Sequence, residues 1–154
     1  MATIAHQVWI NAPKETVFDA VTTTEGLSKW WHRDCTAKPE LGFVNIFRSG
    51  GQIHNKMLIT DIKPNQFVEW ECINDNGAWT GTHLSFEVIE QNGVVKLNFK
   101  HSGWPDQSEF FSVCNFHWAR HLLMLKASCE TGMDQVVPEN EAKWGELYKT
   151  LNPA

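Results

Sequence analysis

Between Gly42 and Phe99 the chain is repeatedly broken by turn residues, and between those breaks its apolar residues fall on alternate positions. Ser49-Gly50-Gly51, Lys63-Pro64-Asn65-Gln66, Asn74-Asp75-Asn76-Gly77 and Gln91-Asn92-Gly93 are the breaks. Such clusters favour tight turns, so the segment predicts an antiparallel meander. Val68, Trp70 and Cys72 alternate with Phe67, Glu69 and Glu71, and Leu84, Phe86 and Val88 alternate with His83, Ser85 and Glu87. Val95, Leu97 and Phe99 continue the pattern against Lys96, Asn98 and Lys100. One face of the sheet is therefore apolar and the other wetted. The same parity turns His101 inward.

The period then changes. Phe111, Cys114, Trp118, Leu122, Leu125 and Cys129 recur at steps of three and four, the stripe of one long helix ending near Thr131, with Gly132 at the left-handed position beyond it. Asp106 with Glu109 three residues on resembles a capping box at its start. Upstream, Thr3 to Ile10 suits a strand. Pro13 fits the first position of a helix carrying Val17, Phe18 and Val21 on one face, and a second short helix is expected from Thr24 to Trp31. After Pro138, the spacing of Trp144, Leu147, Tyr148 and Leu151 predicts a short terminal helix. At 154 residues, one domain over 1–132 with an extension over 133–154 is the expected organisation.

Composition narrows the partners. Eight tryptophans and nine phenylalanines against one tyrosine put much of the apolar area into large rings, which favours a broad core or a lined pocket. A net charge of -5, with basic residues scattered, offers no stripe for phosphates, so nucleic acid is not expected. No apolar run is long enough to span a bilayer and the start has no secretory pattern, so a cytoplasmic protein without membrane insertion is expected. Cys35, Cys72, Cys114 and Cys129 are widely separated, as buried thiols would be.

A strand, two short helices, a meander and one long helix together follow the order of the START-like, birch-pollen-allergen fold: an α+β helix-grip domain in which a curved antiparallel sheet grips the C-terminal helix. INAPKETVFDAVTTTEGLSKWW, FKHSGWP and WARHLLMLKASCETG sharpen this. They resemble the motifs of the family related to the activator of the ninety-kilodalton heat-shock protein ATPase, within the SRPBCC superfamily. The likeness runs from about Ala5 to Gly132 and implies an apolar ligand cavity between sheet and helix.

Three functions follow as expectations. The first is binding of a small apolar molecule by Trp30, Trp70, Phe86, Phe99, Leu122 and Leu125 around Trp118, with His101, His117 and His121 supplying polar contacts. The second, implied by the superfamily resemblance, is a cyclase- or hydratase-like enzyme using a titratable group such as His101. The third is a module that touches a chaperone through the surface around Trp144 and Tyr148. A homodimer is compatible with each. His117 and His121 stand four apart on the helix, a spacing that can offer two metal ligands. Between them lies Trp-Ala-Arg rather than a metalloprotease glutamate, and no third ligand is evident, so neither metal nor cofactor is expected. Arg120 could neutralise an acidic ligand group, although a solvated arginine is the more ordinary expectation.

Overall fold

A computed structural model describes residues 1–143. Its elements are β1 (Ala2–Ile10), α1 (Lys14–Thr22), α2 (Thr24–Ser28), β2 (Cys35–Thr36), β3 (Val44–Ser49), β4 (Gln52–Lys63), β5 (Phe67–Cys72), β6 (His83–Gln91), β7 (Val94–Trp104) and α3 (Glu109–Thr131). The strands form one antiparallel sheet in the order β1-β7-β6-β5-β4-β3-β2. The fold is α+β, a curved open sheet with a long helix laid across it. A further helical stretch occupies residues 138–143, whereas Trp144, Leu147, Tyr148 and Leu151 lie outside the described residues.

The alternation in sequence becomes the two faces of the sheet. Val68, Trp70, Cys72, Leu84, Phe86, Val95, Leu97, Phe99 and His101 are all buried on the concave side. Against them α3 places Phe111, Cys114, Trp118, Leu122 and Leu125. Register is strongly held, since a one-residue slip in any of these strands would send its rings into water.

Local chemistry moves some boundaries. The cap of α3 is Ser108, whose Oγ accepts the Phe111 N–H at 3.1 Å, and not Asp106. Serine there reaches the third helical residue, and Glu109 sits in the first turn, where its charge complements the helix dipole. Pro13 stands one position earlier than expected, as the residue before α1. The second helix stops at Ser28. Beyond it Trp31 and His32 both donate backbone N–H groups to the Leu27 carbonyl, which tightens the chain and leaves Trp30 and Trp31 stacked at 6.0 Å and 17°, Trp30 on the buried side.

Gly26 lets the two short helices touch. A Cβ there would lie 2.3 Å from the Asp19 carbonyl oxygen and 2.5 Å from the Ala20 Cα, both backbone atoms that cannot swing away. Thr23, whose hydroxyl accepts the Gly26 N–H, caps α2 in the same corner. The four cysteines are free thiols, with Cys35, Cys72 and Cys114 buried. No helix among the described residues is long and apolar enough to cross a membrane.

Candidate ligand cleft

The space between sheet and helix is filled by rings. Trp30 inserts from the turn after α2, its ring 6.3 Å from Phe86, and its Nε1–H donates to the Ala20 carbonyl at 2.8 Å. Trp70 meets Phe86 at 5.2 Å and Phe47 at 5.8 Å, and Phe99 meets Trp118 at 4.5 Å. Leu97, Leu122 and Leu125 are wholly buried in the same cluster. Open space lies instead at one end of the grip, in a cleft of about 750 Å³.

Five parts of the chain line it. Trp31, His32 and Arg33 come from the turn after α2, and Ser49, His54 and Asn55 from the β3–β4 hairpin. The β5–β6 connection, residues 73–82, adds Asn74, Asn76 and Trp79. The N-terminal half of α3 adds Phe110, Cys114, His117, Trp118, Arg120 and His121. Val136, beyond α3, closes one side; Arg33 holds that segment through Asp134 at 3.1 Å and the Val136 carbonyl.

One wall is aromatic. Trp79 stacks against both Trp31, at 6.5 Å and 25°, and Trp118, at 5.9 Å and 20°, and those two rings meet each other at 5.3 Å. Trp31 in turn stacks on Trp70 at 5.9 Å and 9°. The other surfaces are polar but weakly charged. Asn74 is fixed by accepting the Lys56 N–H and donating to Asn55. Burial, with His54 beside it, pushes His32 down to about 4. Burial and the adjacent Arg120 guanidinium push His121 down to about 4 and lower His117. The imidazoles with resolved shifts are thus neutral at pH 7. Arg120 Nη2 donates to His121 Nε2 at 3.2 Å, which leaves the His121 proton on Nδ1, donated to the His117 carbonyl at 2.8 Å. Arg120 is mostly buried, not solvated.

Of the ten residues expected at the site, His117, Trp118 and His121 line the cleft, while Trp30, Trp70, Phe86, Phe99, Leu122 and Leu125 belong to the packed core behind it. His101 is 0% exposed and sits behind the tryptophan wall. Trp118 Nε1–H donates to its Nδ1 at 3.1 Å, and its Nε2 meets Thr82 Oγ1 at 2.8 Å. Both ring nitrogens are used inside the protein.

Trp79, His32, His54 and the asparagines were not singled out from sequence. The available signal at Trp79 was a large ring in an otherwise polar turn, a place where packing gives no reason for one. Among the described residues no group of three His, Cys, Asp or Glu could hold a metal ion.

The profile of a family described as Activator of Hsp90 ATPase homolog 1-like protein matches residues 11–130. The solution structure of the Aha1 dimer from Colwellia psychrerythraea is 33% identical, with a TM-score of 0.79, over 86% of this chain and 98% of that one. A protein of Bacillus halodurans is 22% identical with a TM-score of 0.70, over 84% and 98%. A Micromonospora echinospora protein is 15% identical with a TM-score of 0.68, over 96% and 84%. These last two share the fold. No curated protein matches significantly.

Proposed function

We propose that this chain, which belongs to the Activator of Hsp90 ATPase homolog 1-like family, binds a flat aromatic molecule with hydrogen-bonding groups along one edge, in the cleft at the end of the grip. The observation that carries the reading is the pairing of stacked Trp31, Trp79 and Trp118 with imidazoles and carboxamides across the same space. Indole faces favour another π-system over a saturated chain, and covering roughly 200 Å² of its surface would contribute about 5 kcal/mol. A neutral imidazole such as that of His32, together with the carboxamides, can then donate or accept according to the ligand, which suits phenols, carbonyls and ring nitrogens, whereas both His121 ring nitrogens are already engaged within the protein.

Binding is favoured over acid–base catalysis by the same histidines. A general base works best with a pKa near the operating pH, whereas His32 and His121 are held at about 4. A chaperone-contacting role would draw on Trp144 and Tyr148, outside the described residues.

The experiment is titration with 1-anilinonaphthalene-8-sulfonate, followed by tryptophan quenching and native mass spectrometry. One probe per chain should bind, and Trp79→Ala should weaken it about tenfold, equivalent to about 1.4 kcal/mol. Binding by the native protein that is indifferent to Trp79→Ala, or no binding, overturns the reading.

Self-association is proposed as well, because the Colwellia relative is a dimer. The outer face of α3 supports it: Phe116 at 56% and Leu123 at 62% exposure flank exposed Ala119. If two copies cross antiparallel at Ala119, Phe116 of one lies opposite Leu123 of the other, as a twofold contact requires. Neighbouring surface must join them to reach the usual interface of about 800 Å² per partner. Sedimentation should show a dimer whose dissociation constant rises at least about tenfold in Leu123→Glu. A monomeric parent protein at high concentration refutes this.

A further inference from the structure

We propose that His101 is the positioning residue of the cleft: it touches no ligand, but sets the relation of Trp79 to Trp118 and so the shape of the surface a ligand meets. The inference rests on the cleft being the binding site. Trp79 belongs to the β5–β6 connection and Trp118 to α3, so no short stretch of chain holds one ring against the other. Their rings stack at 5.9 Å and 20°. Two flat apolar plates slide over one another at little cost, because dispersion is non-directional. Hydrogen bonds supply the missing direction.

His101 links both partners. The indole nitrogen of Trp118 can only donate, so Nδ1 of His101 must accept and the proton of the neutral ring resides on Nε2. That proton is donated to Thr82 Oγ1 at 2.8 Å, and the Thr82 hydroxyl donates to the Trp79 carbonyl at 2.5 Å. The chain Trp118, His101, Thr82, Trp79 is closed, with each donor matched to an acceptor. The His101 ring also stands edge-on to the Trp79 ring, centroids 4.8 Å apart at 84°.

Packing alone does not call for an imidazole here. The neighbouring inward positions of β7 are Val95, Leu97 and Phe99, and a buried leucine would avoid placing two polar atoms out of water. What a leucine cannot do is accept from one element and donate toward another.

Three variants separate positioning from bulk. His101→Leu fills the space and drops both bonds. His101→Gln keeps an acceptor and a donor at nearly the imidazole spacing. Thr82→Val leaves the histidine in place and removes the hydroxyl that joins it to the Trp79 carbonyl, keeping only the Thr82 backbone N–H on that carbonyl. Two readouts are taken on folded protein: affinity for 1-anilinonaphthalene-8-sulfonate, and the part of the exciton circular-dichroism signal that disappears in Trp79→Phe, which reports the geometry of Trp79 against Trp118 and Trp31. His101→Leu and Thr82→Val should each lose that signal and bind the probe about tenfold more weakly, while His101→Gln stays within about threefold of the parent. A merely structural role predicts a lower melting temperature with both readouts unchanged, and that result overturns the proposal. If His101→Leu does not fold, Thr82→Val against His101→Gln decides. If the parent binds no probe, the cleft reading fails, and the dichroism of the same variants still tests the positioning.

Discussion

Lowering the pH from 7 to 5 should destabilise the fold by about 3 to 5 kcal/mol. The cause is a set of imidazoles that the folded protein holds neutral. Burial alone takes His101 down to about 3, and burial is the largest influence on His32 and His121, each at about 4, against 6.5 for the free side chain. Neighbouring cations, Arg120 beside His121 above all, add to the shift. The sign follows from which state takes up protons first. Above about pH 6.5 both states are neutral and there is no penalty; below it the unfolded chain binds protons that the folded chain refuses. The loss grows as pH falls and levels off only near the folded values, between about 4 and 3. At pH 5 one such group costs about 2 kcal/mol, and the sum is reduced because His32 and His121 keep some contact with water. Glu130, whose pKa is lowered by Lys126, loses its stabilising contact only at lower pH. Urea unfolding at the two pH values measures the difference, and His101→Gln should remove about 2 kcal/mol of it. Equal stability at pH 7 and pH 5 would show that the imidazoles are not held neutral.

The architecture was legible because periodicity reports direction. An alternation of two and a stripe of three and four each say which side of an element faces the core, and every inward residue of β5, β6 and β7 read in this way is buried. His101 was found by the same parity. Periodicity does not say how the enclosed volume is divided. Whether Trp70, Phe86 and Phe99 border a cavity or fill it depends on what enters from elsewhere, and the entrant is Trp30, delivered by a turn that tightens after Ser28. Adjacent in sequence, Trp30 and Trp31 stack on each other there, Trp30 fully buried in the core and Trp31 forming the layer that borders the cleft. The polar wall was harder still. His32, Asn74 and Trp79 sit on turns and connections, where no repeat exists to assign a direction, His54 sits on β4 beside a register shift in the β3–β4 pairing, and only the closing of the sheet brings them together. Caps obeyed chemistry that was visible, yet Ser108 and Asp106 are both good caps and only the helix start separates them.

Trp118→Ala should cost about 4 kcal/mol, within the 3 to 5 kcal/mol typical of truncating a large buried ring. Trp118 is 3% exposed and lies against Phe99, Trp31 and Trp79, so its removal leaves a void bounded by rigid rings that cannot collapse into it. It also removes the donor to His101 Nδ1, and an orphaned buried acceptor costs about 1 to 3 kcal/mol. That second loss is partly offset, since the void opens toward the cleft and water can enter to replace the indole N–H. Trp118→Phe isolates the hydrogen bond: it keeps most of the ring contact and should cost about 1 to 2 kcal/mol. Urea unfolding of the two variants, monitored by far-ultraviolet dichroism, gives both values. A change below about 1 kcal/mol for Trp118→Ala would mean that the ring is not clamped between sheet and wall. Trp79, half-buried on a turn, provides the contrast, since Trp79→Ala should weaken probe binding with a smaller loss of stability. Trp118 cannot separate the two effects, because one of its faces closes the core while its edge borders the cleft.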